Sequence, residues 1–159
     1  MNNIEIYTDT ACFHNGKDDC IVSVGVYIPV MKYYYSSVIK DTKISTVNRG
    51  ELYAILTAMK IAYYMLLDNI IIYSDSSYAV NIVNGTWGIR NLKNVDIIEE
   101  ILEYQKKLNT CIMWVKGHEE NTGNNVADAL AVIKLHDKIG DRYKLLKKYK
   151  KFKEVFCLQ

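Results

Sequence analysis

Ile70-Ile71-Ile72-Tyr73-Ser74-Asp75 is the stretch on which the fold turns. A run of four apolar residues is too short for a helix. Its lack of alternation marks a strand inside a sheet, buried on both faces. Upstream, Leu52, Ile55, Leu56, Met59, Ala62, Tyr63 and Leu66 recur at helical spacing, which predicts a long helix over 47–67 with Thr46 as N-cap. Before that helix lie three β-rich segments, 4–12, 20–29 and 33–39, read as an antiparallel meander. His14-Asn15-Gly16-Lys17-Asp18-Asp19 is a polar turn, and Pro29 closes the second strand because it cannot donate to a ladder. Downstream, the pattern predicts a short helix 76–83 ended by Asn84-Gly85, a helix 96–108, a strand 111–115 and a helix 123–135. The order β-β-β-α-β-α-α-β-α predicts an α/β fold. Its five-stranded mixed sheet has three antiparallel strands, then two parallel ones, with helices on both faces.

The 159 residues are enough for one domain with a sizeable core. An apolar share of 50% and a charged share of 24% are those of an ordinary globular protein. No apolar run approaches a membrane span. Ile4-Glu5-Ile6-Tyr7 begins a strand at once, without the basic-then-apolar layout of a signal peptide, so a cytoplasmic setting is expected. Cys12, Cys20, Cys111 and Cys157 lack paired metal spacing. Cys20 and Cys111 open strands and read as small buried hydrophobes.

The net charge of +2 hides an asymmetry. From 141 onward one Arg and six Lys face Asp141 and Glu154, a balance of +5, which leaves −3 for residues 1–140. Four acidic residues that sit in distinctive surroundings contribute −4 of that. They are Asp9 after Ile-Tyr-Thr, Glu51 in Asn48-Arg49-Gly50-Glu51-Leu52, Asp75 after Tyr73-Ser74, and Asp128 in Asn124-Asn125-Val126-Ala127-Asp128. Carboxylates in apolar surroundings are costly unless paired or holding a metal. Brought together, four of them would need cations. Taken singly each has a plainer role. Asp75 could cap the helix that follows it, Glu51 could answer a helix dipole, and Asp128 could face solvent.

Five segments together resemble ribonuclease H of type 1, the cellular and retroviral family. They are Tyr7-Thr8-Asp9, Asn48 to Leu52, Tyr73-Ser74-Asp75-Ser76, Trp114-Val115-Lys116-Gly117-His118, and Gly123 to Asp128. The resemblance spans about residues 4–135. It implies a catalytic domain over 1–140, followed at 141–159 by a basic amphipathic helix or tail. It implies two Mg²⁺ ions, with Mn²⁺ also suitable, held by Asp9, Glu51, Asp75 and Asp128. Asp9 would bridge the pair, Glu51 and Asp75 would serve the leaving-group side, and Asp128 the attacking-water side. His118 would help move a proton or release product. Substrate contacts implied are Asn15 on the RNA strand, Thr46 on a DNA phosphate, Asn48, Arg49, Trp87 on the DNA backbone, and Asn124 near the metal site. Asn15-Gly16 is also a common turn pair, and Trp87 could simply pack.

The chain departs from the family pattern at Thr10, where Gly is common, at Val47, where an Asn often reads the 2′-hydroxyl, and at Ser77, where a Gln often reaches the minor groove. The extra basic helix of many cellular members is missing between Trp87 and the helix at 96. Leu145, Tyr149, Phe152 and Phe156 recur at helical spacing among Lys144, Lys147, Lys148, Lys150, Lys151 and Lys153. That predicts either a docked helix presenting lysines to phosphates or a solvated basic helix.

The expectation is a monomeric Mg²⁺-dependent endonuclease that cuts the RNA strand of RNA–DNA hybrids, leaving 3′-hydroxyl and 5′-phosphate ends. The sequence points to no membrane and leaves protein partners unknown. Two alternatives stand beside it: a related nuclease acting on DNA, of resolvase or integrase type, and a catalytically silent hybrid-binding module.

Overall fold

The computed structural model describes residues 3–40, 46–88, 93–117, 121–140 and 145–156, with side chains as far as Lys153. His118 and Cys157 lie outside the described residues. Strands β1 (Ile4–Phe13), β2 (Ile21–Ile28) and β3 (Tyr33–Val38) form the meander, and Pro29 does end β2 by opening a 3₁₀ turn over Pro29–Met31. Helix α1 (Val47–Tyr64) leads to β4 (Ile70–Ser74), then α2 (Ser77–Val83), α3 (Val95–Lys107), β5 (Thr110–Trp114), α4 (Thr122–Ile139) and α5 (Lys147–Phe156). The sheet order is β3-β2-β1-β4-β5. β1–β2 and β2–β3 are antiparallel, whereas β1–β4 and β4–β5 are parallel. This is the expected five-stranded mixed sheet.

The period of two along each strand sorts side chains to two faces. Ile6, Val26, Ile28, Ile70, Ile72 and Ile112 bury against Leu52, Ile55, Leu56 and Met59 of α1 and against Ile97, Ile98 and Ile101 of α3. The opposite face receives α4. There the Ser23 hydroxyl donates to the Ala131 carbonyl at 2.6 Å, and Gly25 lies so close to the Ala127 carbonyl that a Cβ would collide. Gly123 is pressed in the same way onto the Tyr7 ring. These glycines let α4 approach β1 and β2 closely.

Two expectations need correction. The run Ile70 to Tyr73 is not buried on both faces: Ile70 and Ile72 are buried, but Ile71 and Tyr73 are only half so. α4 packs over β1, β2 and β3 and leaves the second face of β4 to the stack of Tyr73 on Tyr7, with centroids 5.0 Å apart. For the same reason Cys111 is exposed, since β5 is the sheet edge and its outer face is uncovered. Cys20 is half-buried, and its sulfur lies 3.3 Å from that of Cys12.

The basic tail is helical at 147–156 and docked. Tyr149 joins Ala129 and Ile133 of α4 in a small cluster flanked by Leu145, Val132 and Phe152. Lys153 Nζ reaches Asp137 of α4 at 3.1 Å. The Phe156 side chain lies outside the described set. Among the described residues, no helix is long and apolar enough to cross a membrane.

Candidate active site

β4 ends at Ser74, paired with Thr8 of β1. One residue on, Asp9 has no β4 partner at its side, and β1 continues to Phe13 alongside β2 alone. In this notch Asp9, Glu51 and Asp75 come together, with one carboxylate oxygen from each within 4.8 Å of the others. Asp9 projects from β1 and Glu51 from the first turns of α1, both 6% exposed. Asp75 follows the end of β4.

Several local features aim these groups. Thr46 caps α1, its hydroxyl accepting from the Arg49 N–H at 3.2 Å, as expected for Thr at that place. Gly50 is pressed against Val22 and Thr10, so α1 starts close to the sheet and brings Glu51 in. Thr10 therefore points toward α1, and its hydroxyl donates to the Ser23 carbonyl at 3.0 Å. The Thr10 N–H donates to Asp9 Oδ1 at 2.6 Å. Trp114 Nε1–H donates to the Asp75 carbonyl at 3.0 Å, and the Val115 N–H to that of Ser74. Gly117 lies against the Asp75 carboxylate, where a Cβ would collide. The helix-cap reading of Asp75 does not hold: Ser76 caps α2, accepting from the Ala79 N–H.

The electrostatics are those of like charges crowded together away from water. Burial, then the neighbouring Asp75, pushes the Asp9 carboxyl well above the usual carboxylate range. Burial, then Asp9 and Asp75, does the same to Glu51. Glu51 Oε2 is buried with no hydrogen-bond partner among the described residues. A cluster of hard oxygen donors with an orphaned oxygen and mutual repulsion fits a divalent cation such as Mg²⁺.

Asp128 is on α4, 8% exposed, and near enough to Asp9 to raise its pKa further. It lies outside the tight trio. The Tyr149 hydroxyl donates to Asp128 Oδ2 at 2.7 Å, and Lys148 Nζ is 3.7 Å from the same oxygen. These two contacts come from α5. Sequence reading placed Tyr149 in an apolar stripe and Lys148 among phosphate-facing lysines, so it missed both. The one signal was a hydroxyl within a stripe otherwise of Leu and Phe.

The expected substrate contacts divide. Asn48 and Asn15 are exposed, although Asn15 Oδ1 already accepts from the Val47 N–H at 3.0 Å, tying the β1–β2 turn to α1. Trp87 is 48% exposed, its ring edge-on to Tyr78. Asn124 is buried, and neither side-chain polar atom has a partner among the described residues. Arg49 is different. It is 4% exposed, forked onto Asp96 at 2.8 and 3.1 Å and bonded to Asn94. Its guanidinium joins α1 to the start of α3 and is not presented to a strand in solution.

A family model described as RNase H matches residues 1–135. Ribonuclease H of Caldicellulosiruptor saccharolyticus is 33% identical over 144 residues, 82% of this chain and 94% of the relative. Ribonuclease HI of Helicobacter pylori is 30% identical over 147 residues, 87% of this chain and 97% of the relative. Among solved structures, LC11-RNase H1 in complex with RNA/DNA hybrid superposes with a TM-score of 0.70 at 19% identity, covering 87% of this chain and 100% of that one. RNase H1 from Halobacterium salinarum gives 0.68 at 21% identity, covering 86% and 99%. These structures share the fold. With the model spanning most of the chain and relatives matched over more than four-fifths of it, the chain belongs to the ribonuclease H family.

Proposed function

We propose that this protein, acting as a monomer, hydrolyses the RNA strand of RNA–DNA hybrids and leaves 3′-hydroxyl and 5′-phosphate ends. The observation that carries the reading is the trio Asp9, Glu51 and Asp75, two of them buried and one half-buried, in the notch beyond β4, on a family scaffold. The hybrid in the crystal of LC11-RNase H1 supports the choice of substrate. Asp9, Glu51, Asp75 and Asp128 would hold two Mg²⁺ ions, or Mn²⁺ in their place. The chemistry that bound Mg²⁺ supplies is Lewis-acid neutralisation at the scissile phosphate and a more acidic water.

The chain's own residues do the rest. A strand and a helix start, rather than a loop, carry Asp9 and Glu51, so their oxygens keep their places without help from substrate. The N-terminus of α1, with exposed Asn48 beside it, suits a phosphate of the bound duplex. The Asn124 amide offers a donor and an acceptor that the protein leaves unused among the described residues. His118, which follows Gly117 in the sequence, would take up or return a proton during turnover, a task that suits an imidazole.

Cleavage of matched RNA–DNA, RNA–RNA and DNA–DNA duplexes, with Mg²⁺ and with chelator, tests this. The expected result is a cut RNA strand in the hybrid alone, lost on chelation. Cleavage of DNA–DNA would point to a resolvase-type nuclease, and hybrid binding without cleavage to a silent module.

A further inference from the structure

The C-terminal helix α5 begins at Lys147, beyond residue 135 where the family match ends, yet it reaches a carboxylate of the site. We propose that Tyr149 is a positioning residue for Asp128, and that Tyr149 and Lys148 together set how tightly the Asp128 side of the site takes a divalent cation. This rests on the reading of the acidic residues as cation ligands.

The tyrosine is a full member of the α4–α5 contact. It is 6% exposed, and its ring packs on Ala129 and Ile133. Packing alone would be served by phenylalanine, which the same stripe uses at Phe152. The hydroxyl adds a requirement, since a buried O–H must find an acceptor. The acceptor it finds is Asp128 Oδ2 at 2.7 Å, a short bond to a charged group. The donor is held by packing, because Leu145 and Phe152 pack against the same cluster and Lys153 pairs with Asp137 at 3.1 Å. A carboxylate held in this way loses little rotational freedom when it becomes a ligand, which is the service outer partners give to metal sites.

Lys148 acts in the opposite direction. Its Nζ is 3.7 Å from the oxygen that Tyr149 holds and 4.4 Å from the centre of the Tyr149 ring. The side chain is 52% exposed, so it can swing away. A cleft of about 240 Å³ lined by Asn125, Asp128, Lys148, Tyr149, Lys151 and Phe152 opens beside it. Lys148 is thus a resident counter-cation, and a divalent ion must displace it from Asp128. The two neighbours on one helix turn push cation affinity in opposite directions.

Calorimetric titration of the full-length protein with Mn²⁺, in the absence of nucleic acid, reads this directly. Tyr149→Phe keeps the ring and should weaken Mn²⁺ binding by about ten-fold. Lys148→Met, at an exposed position, should tighten it by about two- to five-fold, discounted for solvent. Lys150→Met, exposed on the same helix, should leave it unchanged. In the cleavage reaction, Tyr149→Phe should shift the Mg²⁺ midpoint upward and regain most of its kcat at high Mg²⁺. Equal Mn²⁺ affinity in Tyr149→Phe and the parent overturns the proposal. So does weakening by both Tyr149→Phe and Lys148→Met, because a helix that merely braces the fold loosens in the same direction whichever residue is changed. A parent protein that binds Mn²⁺ but cuts no hybrid overturns the proposed function instead, and leaves the Tyr149 comparison readable.

Discussion

Asp9, Glu51 and Asp75 meet where β4 stops, whereas Asp128 stands on α4 with a phenol and an ammonium group against it. The first three repel one another in a notch where Asp9 and Glu51 are buried and Asp75 half so, and Glu51 keeps an oxygen with no partner among the described residues. The fourth is answered by α5. The same residue type therefore costs the unliganded fold differently in the two places. In the notch the mutual repulsion of the carboxylates and their burial dominate, while at Asp128 the chain sets a phenol and an ammonium group against the carboxylate.

Substitution of each carboxylate by its amide should separate the two halves. Asp9→Asn should reduce hybrid cleavage by at least about 1,000-fold, since it removes a group that acts as one unit with its neighbours. Its unliganded melting temperature should hold or rise, because one of the repelling charges is gone. Asp128→Asn should also stop cleavage, but without that gain, because it surrenders the charge-assisted bond from Tyr149 and the pairing with Lys148. Equal rises in melting temperature for both would erase the contrast.

A finer probe of the notch is Gly117→Ala. The added Cβ would occupy the place of the Asp75 carboxylate, so Asp75 must turn away. A displacement of about 1 Å costs on the order of 100-fold in rate, so kcat at saturating Mg²⁺ should fall by about that much. Unchanged kcat would mean that Asp75 is not held by this loop.

Truncation after residue 140 tests the other half. It removes α5 and with it six lysines. Hybrid affinity should fall, and its salt dependence should flatten by nearly one unit of slope for each phosphate left without its lysine. Some cleavage at saturating substrate and Mg²⁺ should survive, since all four carboxylates remain. Parallel salt plots of equal affinity would leave α5 with its role at Asp128 alone.

What was legible in the sequence was whatever depends on local pattern. Thr46 is where a cap belongs, and the apolar spacing of α1 is that of a helix. Its end was placed three residues late because Met65 and Leu66 continue the apolar pattern, although both are exposed and Leu66 turns left-handed at φ 55°. Similarly, α4 runs to Ile139 rather than 135, because His136-Asp137-Lys138 is polar without breaking a helix, and Gly140 follows it at positive φ. The acidic segments could be found because each carries a short local motif, wherever it falls within its strand or helix. Relations across the fold could not be read in this way. The burial of Arg49 depends on where α3 starts, and the reach of Tyr149 to Asp128 depends on the register of α5 on α4. Neither leaves a mark on local spacing.

On the proposed function a bound cation answers the charge of the notch, and melting temperature against pH, with and without Mg²⁺, is the measurement that tests it. Asp9 and Glu51 have pKa values raised above their unfolded ones. In the window between the two values, the folded state holds protons that the unfolded state has lost. Stability is then fully present below the ordinary carboxylate range and is lost as pH rises through the raised values. The unliganded protein should therefore melt at falling temperature across that window. Mg²⁺ should remove the fall by stabilising the ionised carboxylates, and the Asp9→Asn variant should show a shallower fall from the outset. Parallel curves with and without Mg²⁺, equally steep in Asp9→Asn, would contradict a notch whose charge a bound cation answers.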